Sequence, residues 1–200
     1  MSNGNNKRSS AKEKLIRSGI KVIEHNGIQG FSLRKAAEEC GISCAAPYKH
    51  FKNKDEFLTK IIQYINEEWL IRQEKIVRKY TGDIREQLIN ICLAYIDFLV
   101  ENPQYRSIIM IKDESLSPEN NQIRYKISDK SRELINIYCQ SERILLKTEA
   151  EKIFIIRSLI YGASLMFDNG ELAYNEENRL MIYQAIDHQF ELTSVDKSSN

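Results

Sequence analysis

The chain of 200 residues has little that interrupts a helix, with only 3 prolines and 8 glycines. It also lacks the alternating apolar and polar pattern of a half-buried strand, which removes β architectures from consideration. No stretch reaches the roughly 18 apolar residues of a membrane helix, and the opening MSNGNNKRSS has no apolar signal-peptide core. The expectation is a soluble, cytoplasmic protein with no membrane partner. Four cysteines, Cys40, Cys44, Cys92 and Cys139, form neither a CxxC pair nor a zinc-like spacing with histidine. They read as reduced, mostly buried thiols, with no disulfide framework and no metal site. The three histidines, His25, His50 and His188, are scattered, and there is no His-Asp-Ser set or glycine-rich phosphate loop. No cofactor is implied and an enzyme is not expected.

What the chain does have is uneven charge. Residues 1–60 carry 12 Lys and Arg against 6 Asp and Glu, and the remainder carries 17 against 22. A basic front third suits contact with a polyanion, although a basic end can also be simply a solvated surface.

Apolar residues recur at three- and four-residue spacing along nearly the whole chain, so the fold class is all-α. Residues 1–10 read as a disordered tail. Leu15, Ile16, Ile20 and Ile23 stripe a first helix that should stop near Asn26-Gly27. Ser32 is placed to cap a second helix through Cys40, Gly41 to end it in the left-handed conformation, Ile42 to plug the angle, and Ser43 to cap a third short helix closed by Phe51. A long amphipathic helix follows from Lys54 to about Tyr80, then helices over 84–101, 103–111, 119–140, 148–168 and 175–193, with 195–200 as a second disordered tail. KDESLSPENN, after the 103–111 helix, reads as a loop.

Helix, glycine turn and helix over residues 32–51, behind a supporting helix and within the basic third, make a helix-turn-helix. Its second helix opens on small residues that fit a major groove, and Tyr48, Lys49 and His50 then offer phosphate donors. The run FSLRKAAEECGISCAAPYKHFKNKDEFL resembles the TetR family of bacterial transcriptional regulators, with Ser32, Ala37, Gly41, Ser43, Tyr48, Phe51, Lys54 and Leu58 at the family's characteristic positions. The resemblance implies a three-helix DNA-binding domain over 11–53 and a helical ligand-binding and dimerisation bundle over 54–194. It implies phosphate contacts from Ser32 and Tyr48, a groove-edge or phosphate donor in His50, a backbone clasp in Lys54, and a base contact from Arg34. Ser43, Cys44, Ala45, Ala46 and Lys49 belong to the same DNA-binding set. Structural alternatives stand beside these roles: Tyr48 packing under the first helix, His50 as a surface imidazole, and Arg34 pairing with Glu38 four residues on. Phe51 reads as core. AAPY, ENPQYRSIIM and RSLIYGASLMFDNG resemble a subgroup named for a Trp-His-Gly motif, with Tyr161-Gly162 standing where His-Gly is expected.

The function so implied is a ligand-responsive repressor. A homodimer formed through the last two helices binds a palindromic operator on double-stranded DNA, and an unknown small-molecule effector releases it, with the long helix from Lys54 as the lever. Trp69, Tyr95, Phe98, Tyr105, Met110, Tyr125, Tyr161 and Met166 are the expected pocket lining, each open to a plain core reading. Asp97, inside an apolar run, suits a cationic or hydroxylated ligand or else helix-edge solvation.

Overall fold

A computed structural model describes residues 10–109 and 116–191. Met110, most of the two expected tails and residues 112–115 of the expected loop lie outside that range. Among the described residues the regular elements are all helical: α1 (Ala11–Gly30), α2 (Leu33–Cys40), α3 (Lys54–Lys79), α4 (Ile84–Glu101), α5 (Pro103–Ile109), α6 (Pro118–Tyr125), α7 (Asp129–Ser141), α8 (Leu146–Asp168) and α9 (Glu176–Asp187), with three short 3-10 turns. None of these helices is long and apolar enough to cross a membrane.

The chain divides into two compact units, one drawn from residues 1–66 and 104–124, the other from 67–103 and 125–200. Helix α3 supplies residues to both. The first unit therefore takes in α5 and α6 as well as the front of the chain, beyond the 11–53 span expected of the DNA-binding domain.

In the first unit, Ser10 caps α1 by accepting from the Glu13 amide at 3.1 Å. Gly27, at φ 68° and ψ 171°, breaks that helix where the sequence places a stop, because only glycine enters that region without strain. Leu15, Ile20, Ile23, Phe31, Phe57 and Ile61 fill the core behind it. Gly19 lets the chains approach closely: a Cβ there would meet Ile61 Cδ1 at 3.0 Å, Phe57 Cζ at 3.2 Å and Phe31 Cε2 at 3.3 Å. Helix α6 is stitched to α3 by amides. Asn120, fully buried, donates from Nδ2 to Asp55 Oδ1 and accepts from Thr59 Oγ1, both at 2.7 Å, while Asn66 Nδ2 donates to the Ile123 carbonyl at 2.8 Å. Burying these amides costs little because their donors and acceptors are matched.

In the second unit, α4 packs against α7, α8 and α9. The helix expected over 119–140 is broken: α6 ends at Tyr125, Lys126–Ser128 form a 3-10 turn, and α7 starts at Asp129. Side-chain donors, one of them distant in sequence, compete for the backbone carbonyls there. The Trp69 indole donates to the Ile127 carbonyl at 3.0 Å, and the Ser128 hydroxyl donates to the Tyr125 carbonyl at 3.0 Å. Helix α9 stops at Asp187 and is followed by a 3-10 turn to Phe190, shorter than the expected 175–193. Of the four free cysteines, Cys92 and Cys139 are buried, and desolvation pushes their thiols up to about 12 and about 11. Cys40 is half-buried and Cys44 exposed, so only part of the set is core.

Asp97, only partly exposed, is held from within its own unit. Arg179 of α9 grips it with both branches of the fork, Nε to Oδ1 at 3.0 Å and Nη2 to Oδ2 at 2.6 Å, and the Tyr174 hydroxyl donates to Oδ1 at 2.9 Å. Nearby, the Tyr183 hydroxyl donates to Glu86 Oε1 at 2.7 Å. Desolvation, and then the bond to Asp97, pushes the Tyr174 phenol up to about 12; the bond to Glu86, and then desolvation, does the same for Tyr183. A phenol raised above its unfolded value near 10 stabilises the fold fully below that value. The contribution is lost as pH rises through the folded value. Stability should therefore fall between about pH 10 and 12, and the Tyr174→Phe/Tyr183→Phe double variant should lose less over that interval. Urea denaturation at stepped alkaline pH measures both slopes, and equal slopes would contradict the assignment.

Candidate nucleic-acid interface

The first two elements of the helix-turn-helix form as the residue types dictate. Ser32 caps α2 by accepting from the Lys35 amide at 3.2 Å, and Gly41 closes it at φ 70°, ψ 30°, the left-handed conformation that glycine takes without a Cβ penalty. The Gly41 and Ile42 amides then bond back to the Glu38 and Ala37 carbonyls at 3.1 and 3.0 Å. Ile42, expected to plug the angle, stands 37% exposed, whereas Leu33, Ala36, Ala37 and Pro47 are buried.

The third helix is not the one expected. Ser43 to Ala46 form a turn and Pro47–Lys49 a single 3-10 turn, so the segment lacks a regular α-helix. Proline explains the change. Without an N–H, Pro47 cannot bond to the Ser43 carbonyl, and the Ala46 amide takes that acceptor at 2.9 Å in the tighter i to i+3 pattern. Ser43 therefore contributes its carbonyl where its hydroxyl was expected to cap. The backbone recovers at once: the Pro47 carbonyl accepts from both His50 and Phe51 amides at 2.9 Å.

The anchor is aromatic. Phe51, 1% exposed, stacks on Phe57 with centroids 4.0 Å apart and planes 4° from parallel, and Phe57 meets Phe31 edge-on at 5.1 Å. Three consecutive parts of the motif are thereby fastened together: the link before α2, the end of the reading segment and the start of α3. Asn53 and Glu56 finish that start, Asn53 Oδ1 accepting from the Glu56 amide at 2.8 Å and Glu56 Oε2 accepting from the Lys52 amide at 2.7 Å.

On this frame the predicted DNA-binding residues stay accessible. Ser43, Cys44, Ala45, Tyr48, Lys49 and His50 are exposed, as is Arg34; Ser32, Ala46 and Lys54 are intermediate. Tyr48 is 61% exposed, so its ring does not pack under the first helix. Lys54 Nζ donates to the Gln29 carbonyl at 3.2 Å, and Lys35, absent from the predicted set, donates to the adjoining Gly30 carbonyl at 2.9 Å. Lys35 carried only one signal in the sequence, its place beside Arg34 in the basic third. Arg34 Nε donates to Glu38 Oε1 at 3.0 Å, and that bond raises the guanidinium pKa further.

The predicted effector-pocket residues scatter. Trp69, Tyr95 and Phe98 form one packed cluster with centroids 4.9, 5.6 and 6.4 Å apart, and Arg72 lies over the Phe98 ring at 5.3 Å. Desolvation pushes the Tyr95 hydroxyl pKa up. Tyr105 is buried in the first unit, while Tyr125, Tyr161 and Met166 of the second are exposed. A cavity of about 20 Å³ in the second unit is lined by Tyr138, Cys139, Ile144, Glu149, Ile153 and Phe190 among others, and includes none of the eight. That volume suits a water molecule, whereas small-molecule pockets run to roughly 300 Å³ and more.

Comparison with known proteins meets this geometry at its centre. The family model of bacterial regulatory proteins, tetR family, matches residues 15–61. The uncharacterized HTH-type transcriptional regulator YerO of Bacillus subtilis is 23% identical over 174 residues, covering 83% of this chain but only 59% of YerO itself. The nucleoid occlusion factor SlmA of Vibrio vulnificus is 25% identical over 166 residues, 80% of each chain. A TetR family transcription regulator from Marinobacter aquaeolei shares the fold with a TM-score of 0.75 at 14% identity, over 89% of this chain and 94% of its own.

Proposed function

We propose that the chain is a TetR-family transcriptional regulator, a homodimer that binds a palindromic operator and is released by a small-molecule effector. The observation that carries the reading is the buried stack of Phe51 on Phe57, which holds an accessible, donor-bearing segment between α2 and α3 inside the span matched by the family model. YerO is named a transcriptional regulator and SlmA a nucleoid occlusion factor, so the DNA-reading unit is what transfers most directly from them.

In this reading Ser32, Tyr48, Lys49, His50 and Lys54 position the protein on phosphates, Arg34 reads a base edge, and Cys44, Ala45 and Ala46 admit the backbone to the groove. Two copies must hold their reading segments about 34 to 36 Å apart to meet successive major grooves. The second copy is proposed to dock on α8 and α9, whose accessible faces carry Phe154, Tyr161, Leu165, Leu180 and Met181. A DNA partner would put its work in the bacterial cytoplasm. The effector must bind the two conformations with different affinity. The Tyr161-Gly162 departure leaves the Trp-His-Gly subgroup without support from that position.

The test is selection of random duplexes by the full chain at two salt concentrations. A palindromic site should be enriched, and binding should weaken steeply with salt as counterions are released. Lys54→Ala should weaken all duplexes about equally, while Arg34→Ala should relax the preference at one position per half-site. Enrichment of no palindrome, or binding indifferent to salt, would end the regulator reading.

A further inference from the structure

Arg34 sits at the seam between α2 and the reading segment. Its Nε donates to Glu38 Oε1 at 3.0 Å on the same helix, and Cys44 opens the reading segment three residues after Gly41 ends that helix. Arg34 and Glu38 are both largely exposed, with side-chain accessibilities of 75% and 54%, so burial does not force them together. A guanidinium has five N–H donors, and a bond to Nε leaves the Nη edge free of Glu38. Two parallel N–H groups on such an edge match the O6 and N7 acceptors of guanine.

Charge gives the second half of the argument. A carboxylate in the basic third of the chain works against attraction to a polyanion. Glu39, its neighbour, lies 3.6 Å from Lys21, and Glu38 is matched to Arg34. A paired Arg34 brings little net charge to DNA. What it brings is direction.

We propose that Glu38 is a specificity-determining positioning residue, which fixes the Arg34 guanidinium so that its Nη edge is presented to base edges and whose negative charge suppresses indiscriminate attraction to phosphates. The inference rests on the proposed role of Arg34 as a base contact. It implies that Arg34 and Glu38 act as one unit: losing the carboxylate makes the arginine a mobile phosphate-seeking cation, which raises affinity for any duplex while blunting the choice of base.

Full-length wild type, Arg34→Ala, Glu38→Gln, Glu38→Asp and the Arg34→Ala/Glu38→Gln double variant are compared by selection of random duplexes and by salt titration. Glu38→Gln should weaken preference roughly fivefold at the position that Arg34→Ala relaxes, out of the larger discrimination a bidentate pair provides. It should also bind random duplexes more tightly, with a log–log salt slope steeper by about one. Glu38→Asp keeps the charge but shortens the arm, and should lose base preference without gaining random affinity. In the Arg34→Ala background, Glu38→Gln should alter no base preference. Thermal melts should leave every variant within a few degrees of wild type, since both side chains are exposed. A Glu38→Gln protein that keeps full preference where Arg34→Ala loses it overturns the inference and leaves the regulator reading standing. If Arg34→Ala relaxes no position, the inference and the base-contact role fall together; if wild type enriches no site, the function itself is wrong.

Discussion

Phe57→Ala should destabilise the first unit by about 3–5 kcal/mol and abolish DNA binding at physiological temperature. The ring is fully buried, stacked on Phe51, edge-on to Phe31 and within reach of the Gly19 backbone. Truncation removes the transfer energy of a phenyl group, leaves a cavity that three helices must collapse into, and ends two aromatic pairs worth about 0.5–1.5 kcal/mol each. Small domains hold only about 5–15 kcal/mol in total. Urea denaturation followed by helical circular dichroism reads the loss directly. Tyr48→Ala is the matched control. Its ring is exposed, so stability should stay within about 0.5 kcal/mol of wild type while DNA affinity drops. A Phe57→Ala loss below about 1 kcal/mol would show that the stack is not what holds the reading segment.

The sequence disclosed the parts of this fold that depend on local chemistry. Gly27 and Gly41 both sit at positive φ where the helix stops were read, Ser32 caps as expected, and Ile84–Glu101 begins and ends on its signals. Phe51, read as core at the close of the motif, is buried. The misses share a different cause, competition from groups distant in sequence or from a missing donor. The break at 126–128 depends on Trp69, 58 residues upstream, claiming the Ile127 carbonyl. The internal grip on Asp97 depends on Arg179, 82 residues on. Periodicity cannot report a partner at that distance. Pro47 implies a tightened or bent first turn, and the structure carries this further: one absent N–H diverts the Ser43 carbonyl to Ala46, and the short segment becomes a turn followed by a 3-10 turn. Trp69 and Phe98, expected to line an effector pocket, are buried, and aromatic residues at helical spacing serve equally well as core.

Phe154→Asp should convert the proposed dimer into a folded monomer and cut operator affinity by at least about a hundredfold. Helix α8 is apolar on two sides. Ile156, Ile160, Ala163 and Phe167 point into its own unit, while Phe154, Tyr161 and Leu165 stay exposed, Phe154 at 72% and Leu165 at 56%, and Leu180 and Met181 of α9 are exposed at 57% and 49%. Large exposed apolar side chains on two helices that pack together are what the proposed dimer surface would cover. Gly162, on the same stretch, has open space where a side chain would stand, room for a second backbone to approach. Burying one such ring contributes roughly 1.5–3 kcal/mol, and twofold symmetry counts every substitution twice. Replacing phenylalanine by aspartate thus removes about 3–6 kcal/mol per dimer before the cost of burying two charges is added. That loss raises the dissociation constant by a factor on the order of a hundred to ten thousand. Light scattering behind a sizing column reads the mass, and a gel shift on the selected operator reads the affinity. The monomer fold itself should be untouched, because the side chain is exposed within one chain, so circular dichroism should not change. A Phe154→Asp protein that stays dimeric at low micromolar concentration would place the interface elsewhere, and a wild type that is monomeric there would remove the two-copy geometry on which successive-groove reading depends.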